Sequence, residues 1–154
     1  MLPFIPNAPR TLSRLRQGPV YSDDLSGHLR KVRAALNITQ AMAAHRIGVS
    51  QFTYRLWECG AHQPLIAQWP AIIAFIGRDP NGVPSTMGEQ LQAWRRAEGI
   101  SRKGFARRLG LDAGTLAKLE QDGYRRIDPR VRQTVEALKR HFNARAIPTT
   151  PPTR

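Results

Sequence analysis

The chain repeats itself at one fixed interval, and this limits what it can fold into. The segment LRKVRAALNITQAMAAHRIGVSQFTYRLWECG, from Leu29, lies over LQAWRRAEGISRKGFARRLGLDAGTLAKLEQDG, from Leu91, at an offset of 62 residues without an insertion. Leu29 meets Leu91, Arg33 meets Arg95, Ile38 meets Ile100, Ala44 meets Ala106, Gly48 meets Gly110, Thr53 meets Thr115 and Glu58 meets Glu120. Thr39 with Ser101, Ile47 with Leu109, Tyr54 with Leu116 and Trp57 with Leu119 extend the same pattern conservatively. A repeat that keeps its apolar positions over this length is a repeated structural unit, not a chance likeness. In 154 residues it leaves room for two minimal domains rather than one larger one. Units near 60 residues bury little surface and are only marginally stable.

The apolar spacing within each unit is helical. Leu25, Leu29, Val32 and Leu36 recur on one face of a first helix that Asn37 turns out of. Thr39 and Ser50 are positioned to cap a second and a third helix. Met42, Ala43 and Ile47 supply the inward face of the second, and Gly48 supplies the left-handed turn between them. WPAIIAFIG reads as a fourth helix, although periodicity alone leaves a buried strand as the alternative. In the second unit, Thr86 and Glu89 have capping-box spacing, Ser101 and Asp112 precede two short helices, and Val131, Val135 and Leu138 mark a closing one after Pro129. The expected architecture is all-α, with two tandem units of four to five short helices each. A basic extended arm covers residues 1–21, the units cover 22–80 and 86–144, a short linker covers 81–85, and a Pro/Thr-rich tail covers 145–154.

Two short helices joined by a glycine turn have helix-turn-helix geometry. Both units resemble the Cro and lambda-repressor-like helix-turn-helix family, often called the XRE family. The first unit carries Leu-Arg, Arg, Thr-Gln, Ala, Gly-Val-Ser and Trp-Glu-x-Gly in that family's order. The second departs from it at Arg102, where the family usually has Gln, at Leu119 for Trp, and at Asp122 for Gly. The resemblance implies a DNA-binding surface. In the first unit it consists of Gln40 at the start of the positioning helix, with Ser50, Gln51, Phe52, Thr53, Arg55 and Leu56 on the recognition helix. Gln51 suits adenine or a backbone oxygen, Arg55 suits guanine or phosphate, and Phe52 and Leu56 suit a thymine methyl. A local helix hydrogen bond is the competing role for Thr53. In the second unit the matching surface is Arg102, Lys103, Arg107, Ala113, Gly114, Thr115 and Lys118. This surface has few side chains that discriminate bases, so phosphate contact is the expected role there, with Arg95, Arg96 and Arg108 nearby.

Charge supports a polyanionic partner. The formal net charge is +13, from 24 Lys and Arg against 11 Asp and Glu, and such a surplus attracts phosphate backbones. Arg10, Arg14 and Arg16 precede any acid and form a candidate DNA arm, unless they belong to a leader whose charge only aids solubility. The single Cys59 can form no internal disulfide, and Cys59 with His62 lacks the companion ligands of a structural zinc site, so no metal or cofactor is expected. Trp57, Trp69 and Trp94 fall at core-packing positions, and Glu58 and Glu120 suit helix-end or local Arg interactions better than acid–base catalysis. With no phosphate-binding glycine loop or catalytic triad, the chain is not expected to be an enzyme. No membrane-length apolar run occurs, so a cytoplasmic protein, nucleoid-associated when bound to DNA, is expected.

Charge and motif together point to double-stranded DNA, and the resemblance implies a sequence-specific transcriptional regulator of bacterial, phage or mobile-element type. Two alternatives stand beside it: a recombination directionality or architectural DNA-binding factor, and an antitoxin-like module whose main partner is a protein. A homodimer is compatible with each, but no heptad run is long enough to establish one.

Overall fold

Most helices here begin at a side chain that satisfies backbone N–H groups the helix itself leaves free. In the computed structural model, which describes residues 20–121 and 128–145, Asp24 accepts from Gly27 N at 2.8 Å and opens α1, Leu25–Ala35. Thr39 opens α2, Gln40–Ile47, and Ser50 opens α3, Gln51–Glu58, each accepting from the N–H three residues on. A 3₁₀ turn at Ile66–Gln68 leads into α4, Trp69–Ile76. Thr86 and Glu89 form the reciprocal capping box at the start of α5, Met87–Glu98. Ser101 caps α6, Arg102–Arg108, and Asp112 caps α7, Ala113–Glu120; α8 spans Pro129–Arg145. The described residues are therefore all-helical, with no strand among them.

The buried side chains form two clusters. Leu29, Ala43, Ala44, Ile47, Tyr54, Trp57 and Ile72 make the first, and Leu91, Phe105, Ala106, Leu109, Leu116, Leu119 and Val135 make the second. Six of the seven positions in each cluster correspond at the 62-residue offset. Where residue types differ, the bulk moves between helices. The first cluster sets Ala43 on α2 against Tyr54 and Trp57 on α3, whereas the second sets Phe105 on α6 against Leu116 and Leu119 on α7. Such volume exchange conserves packing while changing every contact.

The packing bears out one of these expectations and corrects others. WPAIIAFIG is helical; Pro70 sits in the first turn of α4, where a missing N–H costs nothing, and Gly77 ends the helix in the left-handed region at φ 85°. Met42 is half exposed and Ala44 takes its expected inward place, because Ala43, Ala44 and Ile47 share the face turned to the core. Leu36 is likewise exposed, since it falls beyond the last turn of α1 as its C-cap. Trp57 is buried in the first cluster and Trp94 packs against the second. Trp69 instead lies under the Arg96 guanidinium, 5.6 Å from ring centroid to Arg96 Cζ, where α4 meets α5.

Candidate nucleic-acid interface

The third helix sorts its residues by face. Tyr54, Trp57 and Glu58 point inward and are buried, which leaves Gln51, Phe52 and Arg55 on one outward stripe at i, i+1, i+4 spacing. All three are exposed; Phe52 keeps 64% of its surface in solvent, a large apolar side chain that the core does not use. Leu56 is half-buried beside them. Ser50 and Thr53 are occupied locally, with their hydroxyls 2.8 Å apart and the Thr53 N–H donating to Ser50 Oγ. The structure therefore places Thr53 in the helix-capping role that competes with a backbone contact.

Glu58 is the centre of a buried polar network. Arg33 on α1 donates through Nε at 2.6 Å and through a second nitrogen at 3.2 Å, and Gln40 on α2 donates at 2.7 Å. Burial is the largest single influence on the Glu58 carboxyl and favours its neutral form. The hydrogen bonds from Arg33 and Gln40, with the nearby Tyr54 hydroxyl and the Arg33 charge, together outweigh it and hold the group below the usual carboxylate range. The Tyr54 hydroxyl, 3.3 Å from Leu29 O, is pushed well above its ordinary value by burial and by the neighbouring Glu58 charge. Gln40 Nε2 is thus engaged by Glu58, while the residue keeps a partly exposed surface at the start of α2.

The second half builds the same network. Arg95 donates to Glu120 at 2.8 Å and Arg102 does so at 3.0 Å, standing where Gln40 stands in the first half. Arg102 Nε is therefore part of the scaffold, although half of that side chain is exposed. Both acids are bound by arginines 25 positions away in sequence and not by local ones. The signal for this was available in the repeat, which preserves Arg33/Arg95 and Glu58/Glu120 as identical pairs.

On α7 the outward positions are small. Gly114 and Lys118 are exposed, Ala113 and Ala117 are half-buried, and Thr115 donates to Asp112 by both its N–H and its hydroxyl. Contact with the Thr115 hydroxyl, followed by its N–H, keeps the Asp112 carboxyl below its ordinary range, so a fixed negative charge marks the start of α7 where neutral Ser50 starts α3. Lys103 and Arg107 on α6 are exposed and outside the ion pairs formed among the described residues, whereas Arg108 reaches Glu98 at 3.4 Å. The candidate arm residues Arg10, Arg14 and Arg16 lie outside the described residues, as does Asp122.

The exposed acids are placed differently in the two halves: in the first, Asp23 and Asp24 stand at the start of α1, away in sequence from α2 and α3. Between residues 25 and 78 the only acid is Glu58, and it is buried against Arg33, so the charges exposed over this stretch are Arg30, Lys31, Arg46, Arg55 and Arg78. In the second half exposed Glu89 and Asp112 interrupt the basic surface. No family model, curated protein or solved structure matches the chain. No helix among the described residues is long and apolar enough to cross a membrane.

Proposed function

We propose that the chain is a noncatalytic, sequence-specific double-stranded DNA-binding regulator of transcription, built from two tandem helix-turn-helix units of the kind its motifs resemble. The observation that carries this reading is the outward stripe of α3, where Gln51, Phe52 and Arg55 take no part in the fold and stand on a surface that exposes no carboxylate between residues 25 and 78. Gln and Arg offer the paired donors and acceptors that distinguish bases in the major groove, and an aromatic edge suits a thymine methyl. α2 lies against α3 at the glycine turn and is held by the Glu58 network, so the stripe is presented on a rigid support.

In this reading the halves divide the work. α3 reads bases, while Lys103, Arg107 and Lys118 of the second half contact phosphates, a role that requires charge and not shape. Arg102 and Gln40 act chiefly as struts. A protein-interaction role is favoured at the first turn of α7 alone, where the Asp112 carboxylate and the small surface around Gly114 suit a phosphate backbone poorly, while Lys118 one turn further on keeps its phosphate role. The test is fluorescence anisotropy with duplexes of different sequence. Replacing Gln51 and Arg55 together by Ala is expected to remove about 1–3 kcal/mol of discrimination per lost base contact while leaving salt-sensitive nonspecific binding in place. Unchanged discrimination would contradict base reading by α3.

A further inference from the structure

The surface joining the two halves is specific to the second one. Arg96 on α5 donates to Asp79 at 2.9–3.0 Å and lies over the Trp69 ring. Less than one turn further on, α5 ends at Gly99, where an added Cβ would come within 2.9 Å of Pro70 Cγ and 3.5 Å of Ala67 Cα. The repeat supplies an internal control for both positions. At the 62-residue offset Arg96 corresponds to Ala34 and Gly99 to Asn37. Asn37 and Gly99 both end a first helix with positive φ, 50° and 65°. The left-handed turn alone therefore accepts Asn; close approach of Pro70 is what requires Gly at 99. The residues that build each unit are shared between the halves, whereas those that dock one on the other are not.

Resting on the DNA-binding reading, we infer that this junction fixes the second half to one side of the first, so that a single chain occupies a duplex site with a definite polarity. A base-reading half and a phosphate-gripping half are chemically unequal, and a docked junction prevents the second from reaching the duplex on either flank at choice. The partner is a non-palindromic duplex, with the recognised sequence at one end and sequence-independent backbone contacts extending to the other side only. Linking a second contact surface in this way raises affinity by roughly 10²–10⁴-fold when both can engage and by nothing when geometry forbids it.

The test uses the full chain and duplexes carrying its preferred sequence, shortened from one flank or from the other. Shortening one flank is expected to weaken binding by about 100-fold and to reduce the salt dependence, while equal shortening of the other changes affinity less than about threefold; binding stoichiometry should be one chain per duplex. Arg96→Ala with Gly99→Asn converts the junction to its first-half counterpart, and should make the two flanks nearly equivalent while retaining sequence preference. Arg96→Ala alone, which leaves the turn untouched, should shift the flank ratio in the same direction. Equal dependence of the natural protein on both flanks, or two chains per duplex, overturns the polarity inference and leaves DNA binding standing. Failure to bind any duplex overturns both.

Discussion

Glu58 shows how one residue links stability to the presentation of the site. It ties α1 to α3 through Arg33 and α3 to α2 through Gln40. Replacing it by Gln leaves the partly buried Arg33 without its counter-charge, a change that costs at most the roughly 3–5 kcal/mol of breaking a fully buried pair. Denaturant unfolding should register that loss at neutral pH. The pH dependence follows from the lowered carboxyl in the folded state: the stabilisation is complete above the unfolded Glu value of about 4.3 and is lost as pH falls through the lower folded value. The gap between the natural protein and Glu58→Gln should therefore narrow on acidification below about pH 4.3. A gap that widens would show that the folded carboxyl is not held low. The sequence showed that Glu58 and Glu120 are equivalent, yet it pointed to local partners, because an interaction spanning 25 residues exists only once α1 and α3 are packed.

At the scale of elements, helix starts were legible because caps are local chemistry. Thr39, Ser50, Thr86, Ser101 and Asp112 all cap as their positions indicate. Faces were less legible where a helix has only two turns. In α2 the difference between Met42 and Ala44 as the inward residue depends on how α3 and α4 lie against it, which spacing within eight residues does not fix. WPAIIAFIG read as a helix but left a strand open, because a short run that is apolar nearly all round has a weak period; α4 meets the first cluster on one side and α5 on another. The caps also separate folding from binding. Ser and Asp cap with similar strength, so Ser50→Asp should leave the unfolding midpoint nearly unchanged. It should weaken duplex binding at least tenfold at low salt, because it places beside α3 the charge that Asp112 places beside α7. Asp112→Ser should strengthen binding. Parallel unfolding and anisotropy measurements check both, and a Ser50→Asp protein that binds duplex normally would remove α3 from the interface.

For the whole molecule, the repeat forecast duplication but not how the copies meet. The +13 charge likewise pointed to a polyanion without showing that arginines 95, 96, 102 and 108 are engaged in ion pairs with acids of this chain. Neutralising Lys103, Arg107 and Lys118 together is expected to reduce the slope of log affinity against log salt by about 2.7, at roughly 0.9 per phosphate contact, without altering sequence preference. A slope that does not move would place the duplex on the first half alone. The central claim, that this chain reads DNA sequence, is tested most directly by unbiased selection from a random duplex pool followed by footprinting of the selected sites. The account predicts one enriched, non-palindromic sequence, protected along with unselected base pairs on one side of it. Recovery of duplexes with no common sequence would contradict it.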